Sequence, residues 1–369
     1  MSDDPLRARQ AIAGASFATV GAIEVARHYG DAAVEYRAIR EDAGIVRRDD
    51  RTQIRMWGRD PIKMLNGLVT NDLAQLSRER AVYSAMLTPK GRVVTDLLTF
   101  TRGEGDELEL VIDIPLAALS VTSQHLKKYV PPLFARFEPL ERRFGVLGVY
   151  GPRADQLVSS VFSHDASSEE DAVSRGVVEG FDVTAVGTRY VGGEVGYDLF
   201  GAPGALSEVW DGMLRGGAGA GARPVGFAAM ESLRIEAGRP SYGAELSEEV
   251  LPGEAFEATH QMSRAVSFSK GCYTGQEVVI RIAHRGHVNR HVRGLLLADA
   301  PIPPSGTPLF RPDSEKEVGR ITSPTQSPLM GRAIALGYLR REVSPGATVR
   351  VGSSDGAPAE VVDLPFSAP

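Results

Sequence analysis

The sequence predicts an α+β protein with a separate all-β domain, a barrel or sandwich, at residues 291–369. Three observations predict this. A chain of 369 residues is too long for one simple core, so two or three sub-domains are expected. The order hairpin, strand, helix occurs within residues 81–130, which is typical of a mixed unit with antiparallel pairing. After about His291 the chain contains only short strands separated by proline and glycine.

The amino-terminal part is predicted to contain a flexible start and two helices. Residues 1–12 are assigned to the flexible start. Helical spacing is present around Ala32 to Ala43. Another helix is predicted from Pro61, because Asp60 can cap it and proline is favoured at the first helical position.

A β-hairpin and a third strand follow. Two β-like runs flank Thr88 to Gly91, where Thr-Pro-Lys-Gly is a tight-turn signal. The run "ELELVIDIP" predicts the third strand, and residues 115–130 have helical spacing with cationic residues in the last turn. The first predicted sub-domain therefore spans residues 13–142.

The second predicted sub-domain spans residues 143–290. It begins with a strand and a helix between residues 144 and 162, and a strand–turn–strand follows at 180–201. The run "VGFAAMESLRIEAGRP" predicts a helix that Gly238 ends, since glycine is favoured just beyond the last helical turn.

Composition and charge exclude several classes of protein. The net charge is −6 and the isoelectric point is near 5.8, which argues against a general nucleic-acid binder. A single cysteine excludes an intrachain disulfide and a multi-cysteine metal site made by this chain alone. No apolar run reaches the ~20 residues of a membrane-spanning helix. Residues 11–23 only faintly resemble a secretory signal, so a cytoplasmic location is expected for the free thiol.

The lone cysteine, Cys272, lies in the segment "KGCYTGQEVV". A thiolate is the reactive form of cysteine, and nearby cations such as Lys270 and Arg281 lower a thiol pKa. Gly271 and Gly275 permit backbone conformations that a side chain would forbid. These features favour a reactive or metal-contacting thiol. The alternative is a small buried cysteine in a glycine-rich corner.

The run "RIAHRGHVNRHVR" concentrates positive charge between residues 281 and 293. It contains four arginines and three of the seven histidines, which indicates a site for an anionic group such as a phosphate or polycarboxylate tail. A solvated basic surface is one alternative. A metal site is another, if His284, His287 and His291 share one helical face, although Gly286 weakens a helix there.

Two carboxylates have unusual settings. Glu194 lies in the glycine-rich turn of "YVGGEVGYDLF", where it can accept hydrogen bonds from two adjacent N–H groups of a heterocycle; the alternative is a solvent-exposed turn residue. Asp96 lies in the otherwise apolar strand "GRVVTDLLTF". A carboxylate in such a strand is either paired within the structure or held for a substrate amine.

Several segments together resemble a known family. The segment "KGCYTGQEVVIRIAHRGHVNR" resembles the signature of YgfZ-like folate-binding proteins, whose mitochondrial relatives assist iron–sulfur cluster assembly. The wider pattern resembles the T-protein of the glycine cleavage system, an aminomethyltransferase. It includes "GRDPIKMLNGLVTNDL", "YSAMLTPKGRVVTDLLTF", "VGGEVGYDLF" and "ESLRIEAGRPSYGAEL", and it extends over nearly the whole chain from about Phe17.

The resemblance implies a fold and a set of binding roles. The implied fold has two intertwined α+β sub-domains plus a barrel, arranged around a central cavity for tetrahydrofolate or a one-carbon-substituted derivative. Glu194 matches the carboxylate that holds the pterin ring, and Arg234 belongs to a motif beside that pocket. Asp113 falls near a pterin-contacting asparagine of the family. The resemblance also assigns three further residues to the folate site: Tyr83, Lys270 and Arg281.

The resemblance implies two reactive residues and leaves three functions open. Asp96 falls at or beside the catalytic aspartate of T-proteins, and Cys272 stands where T-proteins have an acidic residue. The first hypothesis is a tetrahydrofolate-binding accessory protein for iron–sulfur cluster assembly or repair, with iron–sulfur proteins as partners. The alternatives are a tetrahydrofolate-dependent aminomethyl or methyl transferase and a non-catalytic ligand-binding scaffold.

Overall fold

The structure is a computed structural model that describes residues 4–191, 194–217, 222–298, 301–312 and 314–367. The chain forms two compact units that alternate along the sequence. Unit 1 contains Met1–Asn66, Leu73–Tyr83 and Leu97–Met230, and unit 2 contains Gly67–Asp72, Ser84–Asp96 and Glu231–Pro369.

The described helices are short to medium in length, and most of them lie between strands in the chain order. They are α1 Pro5–Ile12, α2 Ala32–Glu41, α3 Pro61–Asn66, α4 Leu119–Tyr129, α5 Ala154–Phe162, α6 Pro203–Gly217, α7 Phe227–Glu236, α8 Pro252–Ala255, α9 Met262–Ala265 and α10 Gln276–Arg285.

The described strands form two larger sheets, a two-stranded hairpin and a barrel. They are β1 Ser16–Val20, β2 Ile23–His28, β3 Gly44–Arg47, β4 Arg51–Trp57, β5 Val82–Leu87, β6 Val93–Arg102, β7 Glu109–Pro115, β8 Arg136–Pro139, β9 Gly145–Tyr150, β10 Val173–Val178, β11 Phe181–Thr188, β12 Gly196–Gly201, β13 Arg223–Pro224, β14 Arg290–Leu297, β15 Pro308–Phe310, β16 Glu317–Ser327, β17 Arg332–Arg340, β18 Thr348–Val351 and β19 Ala357–Val362.

The amino terminus differs from its prediction. Residues 5–12 form α1 instead of a flexible start, while residues 1–3 lie outside the described residues. The Asp4 side chain accepts a hydrogen bond from the Arg7 backbone N–H at 3.2 Å, which caps the helix. Arg9 then donates to Asp211 of α6 at 2.7 Å, so tertiary contacts hold a segment whose own composition is polar.

The core of unit 1 lies against a six-stranded sheet with the order β10-β11-β12-β9-β3-β13. Helices α5 and α6 cover one face of it, and Trp210 of α6 is buried there with Leu147, Leu199 and Phe162. A second sheet has the order β5-β6-β7-β4-β8. The antiparallel pairing predicted within residues 81–130 is present, since β6 pairs antiparallel with β7.

The carboxyl-terminal domain is a closed six-stranded barrel with the order β14-β17-β16-β15-β18-β19. Its interior is aliphatic and includes Leu295, Leu309 and Val349. This confirms the predicted fold class, a mixed α+β region followed by an all-β barrel. The strand β19 was not predicted, because "APAEVV" contains two alanines and a proline instead of a clear β-branched alternation.

The predicted hairpin turn packs closely within unit 2. Gly91 and Gly275 both have positive φ, at 73° and 82°. A Cβ atom at Gly275 would lie 2.7 Å from the Thr88 carbonyl oxygen, and one at Gly91 would lie 2.8 Å from Cβ of Val278. Both glycines are therefore required where this turn meets the start of α10.

None of the helices in the described ranges combines the length and the apolar composition that a membrane crossing requires.

Candidate functional site

The eight residues predicted to bind or react are divided between the two units. Unit 1 contains Tyr83, Asp113 and Glu194, and unit 2 contains Asp96, Arg234, Lys270, Cys272 and Arg281. The central folate cavity that the resemblance implies would bring together residues of both units, and it stays a prediction.

Lys270 is buried and uses its ammonium group within unit 2. Its Nζ donates to the carbonyl oxygens of Val69 at 2.9 Å and Asn71 at 2.7 Å. Nζ also lies 5.2 Å from the centre of the Tyr273 ring, a cation–π contact. Burial lowers the Lys270 pKa to about 8, although the nearby Asp72 carboxylate acts in the opposite direction. Lys270 thus ties the start of the cysteine segment to residues 69–71, and its predicted contact with folate stays a prediction.

The segment that Lys270 contacts is itself anchored on two sides. Thr70 donates from Oγ1 to the Ala265 carbonyl at 2.6 Å, and its Oγ1 accepts from the Ala85 N–H of β5 at 2.9 Å. Asn71 donates from Nδ2 to the Arg264 carbonyl at 2.7 Å. These bonds hold the backbone carbonyls in place for the ammonium group. Sequence reasoning missed this role of "LVTND", because a backbone carbonyl leaves no residue signature.

Cys272 is exposed and free. The interpretation of this residue as a small buried cysteine in a glycine-rich corner is therefore wrong. The adjacent Tyr273 is buried instead, and burial raises its pKa to about 12. The segment thus turns its aromatic ring inward and its thiol outward.

The basic run does not form one continuous helix. Helix α10 ends at Arg285, and its last-turn carbonyl of Ile282 accepts from the Gly286 N–H at 3.3 Å. His284 therefore lies on a helix, His287 on a loop and His291 on a strand, so the interpretation of three imidazoles on one helical face is wrong. Arg281 lies on α10 and is exposed, and the anion site predicted there stays a prediction.

Asp96 is a buried carboxylate in the apolar strand β6, where its residue is 8% exposed. Its charge acts on Tyr242: burial raises the Tyr242 pKa, and the carboxylates of Glu248 and Asp96 raise it further. A carboxylate near a phenol that stays protonated can accept its hydrogen bond or orient another donor. Tyr242 lies near the end of the segment "ESLRIEAGRPSYGAEL", in which Arg234 was the only predicted site residue.

Arg234 is buried at the carboxyl end of α7, and its guanidinium is fully engaged within unit 2. It donates to both oxygens of Glu231, at 2.8 and 3.0 Å, and to Oε2 of Glu245 at 3.2 Å. It also donates to Oγ of Ser323 at 2.8 Å and to the Arg239 carbonyl at 2.6 Å. This geometry joins α7 to the barrel strand β16. The predicted contact of Arg234 with folate stays a prediction.

Glu245 is the second charged residue of this network, and sequence reasoning missed it. It is completely buried and accepts from Thr322 at 2.5 Å, from Ser323 at 2.6 Å and from the Ser241 backbone N–H at 3.0 Å. The Glu245 carbonyl accepts from the Tyr338 hydroxyl at 2.6 Å. The only feature of the sequence that points to Glu245 is its position after the predicted helix in the segment "ESLRIEAGRPSYGAEL".

Glu194 of unit 1 lies two residues before β12, and its side chain is 30% exposed. Its Oε1 lies 3.7 Å from Nη1 of Arg40, which is longer than a hydrogen bond. The carboxylate therefore keeps acceptor capacity for the N–H groups of a ligand. The glycines Gly192 and Gly193 of the predicted turn lie outside the described residues.

Asp113 is buried in β7 and both of its carboxylate oxygens accept hydrogen bonds. Oδ2 accepts from Arg51 at 2.6 and 2.8 Å, and Oδ1 accepts from Gln53 at 2.8 Å. Burial raises the Asp113 pKa, although Arg51 and Gln53 act in the opposite direction. These bonds join β7 to β4, which indicates a structural role, and a contact with the pterin stays a prediction.

Tyr83 is half-buried at the edge of an apolar cluster of unit 1. Phe100 and Phe200 lie in the same cluster, with their ring centres 4.8 Å apart. Nothing in this packing tests its predicted contact with folate.

The two units offer different chemistry. Unit 2 carries a buried carboxylate, an ammonium group with a lowered pKa and an exposed thiol, which are groups that can orient a proton, carry a positive charge and react as a nucleophile. Unit 1 carries the Glu194 carboxylate, which can accept hydrogen bonds from a heterocycle. No group of three or more histidine, cysteine or acidic side chains in the described part of the chain is arranged to hold a metal ion.

Comparisons with known proteins identify the family to which both regions of the chain are similar. The model of the GCVT N-terminal domain matches residues 6–270, and the model of the glycine cleavage T-protein C-terminal barrel domain matches residues 290–367. The chain is 31% identical over 369 residues to an aminomethyltransferase of Moorella thermoacetica, covering 98% of this chain and 96% of that protein. It is also 31% identical to an aminomethyltransferase of Saccharopolyspora erythraea, over 92% of this chain and 90% of that one.

A solved structure has the same fold. The crystal structure of glycine cleavage system aminomethyltransferase T from Bartonella henselae superimposes with a TM-score of 0.84 and 20% sequence identity. The match covers 98% of this chain and 97% of that chain. The order of a mixed α+β region and a terminal barrel is therefore shared over the full length.

Proposed function

The chain belongs to the glycine cleavage T-protein family, and from this premise we propose that it binds tetrahydrofolate and transfers an aminomethyl or related one-carbon group. This was the alternative hypothesis from the sequence. The relatives support it better than the iron–sulfur accessory role, for which the comparisons give no support.

The residues of unit 1 fit a folate. A pterin ring presents adjacent N–H donors, and the Glu194 carboxylate has acceptor capacity because the nearest Arg40 nitrogen is 3.7 Å away. Glu194 would therefore hold the ring and set its orientation. Bound tetrahydrofolate supplies the nitrogen that receives or gives the one-carbon group.

The observation that carries the proposed reaction is the buried carboxylate of Asp96. Burying a charged group is costly unless it is paired and hydrogen-bonded, so a carboxylate in an apolar strand indicates a structural partner or a functional role. Asp96 is nearly enclosed in β6, and its charge acts on the Tyr242 phenol. A negative charge held in place stabilises a developing positive charge on a reacting amine without reorganisation of solvent. We assign Asp96 the role of orienting and electrostatically stabilising the reacting nitrogen.

The proposal is tested by turnover of the purified protein. We expect an aminomethyl donor, supplied as an aminomethylated dihydrolipoyl compound, to be consumed only when tetrahydrofolate is added, with formation of methylenetetrahydrofolate measured by absorbance and mass spectrometry. The matched control is the same mixture with the oxidised compound folic acid. Absence of turnover with aminomethyl and methyl donors, together with saturable tetrahydrofolate binding, would exclude the transferase and leave the accessory role and the non-catalytic scaffold.

A second candidate function is favoured by a specific observation, the exposed thiol of Cys272. The segment around it resembles that of YgfZ-like folate-binding proteins, and Lys270 holds the segment to residues 69–71. A thiol on an anchored turn can react with a partner or a small molecule. This supports assistance to iron–sulfur cluster assembly or repair, in which iron–sulfur proteins are the partners.

The Cys272→Ala variant distinguishes the two candidates. The accessory role predicts that iron–sulfur enzyme activity in cells falls by about half or more with this variant, while tetrahydrofolate binding by the purified protein persists. The control is Ser269→Ala, which removes another exposed polar side chain from the same loop. Wild-type levels of iron–sulfur enzyme activity in cells that produce Cys272→Ala would eliminate the second candidate and leave the transferase unaffected.

A further inference from the structure

A cavity of about 360 Å³ lies within unit 2, beside one face of α10. The helix supplies Val279 and Ile282 to the wall, and Met262 and Phe268 line the cavity as well. Its volume equals that of about a dozen water molecules, which lies within the range of small-molecule sites. Phe268 is 45% exposed, a large apolar surface for a residue beside a cavity.

Glu257 is the one carboxylate among the described residues that line the cavity, and His287 and His291 are the other polar side chains there. Glu257 lines it and is exposed, and its side chain forms no ion pair or hydrogen bond with the described residues. The Glu257 carboxylate lies near Gly253 of α8. A Cβ atom added at Gly253 would lie 4.0 Å from Oε2 of Glu257 and 3.2 Å from Cγ1 of Val288. The carboxylate thus lies against the apolar wall of the cavity.

Other titratable groups lie at or near the cavity. Burial lowers the His291 pKa, and the Arg293 charge lowers it further, although Glu257 and Glu254 act in the opposite direction. His291 is therefore neutral at pH 7 and offers hydrogen bonding without charge. Glu254 is already paired, since it accepts from Arg290 at 3.1 Å. His287 also lines the cavity and is exposed.

We propose that this cavity binds a small molecule with an apolar, ring-sized body and a protonated amine, the body packing on α10 and Phe268 and the amine pairing with Glu257. Contact with the apolar walls contributes affinity that does not depend on the charge of the ligand. The single carboxylate makes the site select a cation over a neutral or anionic group of the same shape. The site is separate from the residues assigned to folate and does not depend on the proposed transferase activity.

The exposed arginines of α10 argue for the opposite charge preference. Arg281 and Arg285 lie on the same helix but do not line the cavity, whereas Glu257 does. The carboxylate in contact with the cavity therefore decides the preference, and an anionic probe provides the test of this step.

The experiment compares three probes of one shape with the full chain at pH 8, where imidazoles are neutral and the amine is still protonated. The probes are 2-phenylethylamine, 2-phenylethanol and phenylacetate, and dissociation constants are measured by ligand-observed NMR titration. We expect the amine to bind about fivefold more tightly than the alcohol, and phenylacetate to bind most weakly.

Three variants locate the binding. Ala283→Trp fills the cavity from an exposed position of α10 and should weaken all three probes at least tenfold. Glu257→Gln should abolish the preference for the amine while leaving the alcohol unchanged within twofold. Glu277→Gln, which removes a carboxylate from the same helix outside the cavity, should leave all three affinities unchanged.

Four results would overturn the proposal: no saturable binding, equal binding by wild type and Ala283→Trp, a preference for phenylacetate, or a preference for the amine that survives Glu257→Gln. Circular dichroism and the thermal unfolding midpoint of each variant show that it is folded, and Glu257→Gln changes only an exposed side chain.

Discussion

Replacement of Arg234 by methionine is expected to lower the free energy of unfolding by about 3–5 kcal/mol. Methionine retains most of the side-chain volume and removes the charge. The loss is large because Glu245, which is 0% exposed, then remains as a buried carboxylate without its cation. Ser323 and the Arg239 carbonyl also lose a partner. Urea unfolding followed by far-ultraviolet circular dichroism measures the change.

A matched control separates this network from an ordinary ion pair. Arg320 pairs with Glu317 at 2.7 Å, but its side chain is 61% exposed. Arg320→Met should therefore cost less than about 1 kcal/mol. Adding Glu245→Gln to Arg234→Met should recover part of the loss, because the uncompensated charge is then gone. A cost at Arg234 no larger than at Arg320 would refute the structural role of the network.

Replacement of Asp96 by asparagine is expected to reduce kcat about 100-fold, with the dissociation constant of tetrahydrofolate changed by less than threefold. Asparagine has nearly the same shape, so the substitution removes the charge and replaces one acceptor oxygen with an NH2 donor while leaving the volume unchanged. The magnitude is that of one preorganised electrostatic group in an enclosed site. Steady-state kinetics at saturating substrates and an equilibrium binding titration measure the two quantities separately.

The control for this substitution is Asp363→Asn, since the Asp363 side chain is 77% exposed in the same unit. It should leave both kcat and folate binding unchanged. If Asp96→Asn turned over at the wild-type rate, Asp96 would have no part in the chemistry. If instead it lost folate binding to the same extent as kcat, its role would be in binding.

Local sequence signals predicted most of the elements. Asp60 and Pro61 predicted the start of α3, Gly238 predicted the end of α7, and the turn from Thr88 to Gly91 joins β5 and β6 as expected. These signals succeed because capping, turn geometry and side-chain alternation act between residues near in the chain. Helix α1 carries the same local signal, Asp4 followed by Pro5, but the polar composition of residues 1–12 favoured a flexible start. The contact of Arg9 with Asp211, which acts between residues far apart in sequence, could not be predicted.

The sequence predicted which residue types form the candidate site. It predicted the burial and the partners of each of these residues less well. The sequence identified Asp96 as a carboxylate in an apolar strand, and the structure places it in β6 with the Tyr242 phenol affected by its charge. The sequence left Cys272 open between a reactive and a buried thiol, and the structure exposes it. Glu245 and the carbonyls of Val69 and Asn71 could not be predicted, since their roles arise only from partners brought close by folding.

By itself the sequence determined the fold class, the barrel after about residue 290 and the residue types that could bind or react. Periodicity, glycine and proline positions and charge are properties of neighbouring residues, and these were sufficient. Only the tertiary structure decided that Lys270 donates hydrogen bonds to backbone carbonyls and that Arg234 pairs with Glu245. It also decided that Cys272 faces solvent and that Glu257 lines a cavity. Burial and pairing depend on what packs against a side chain, and that information lies in distant parts of the chain.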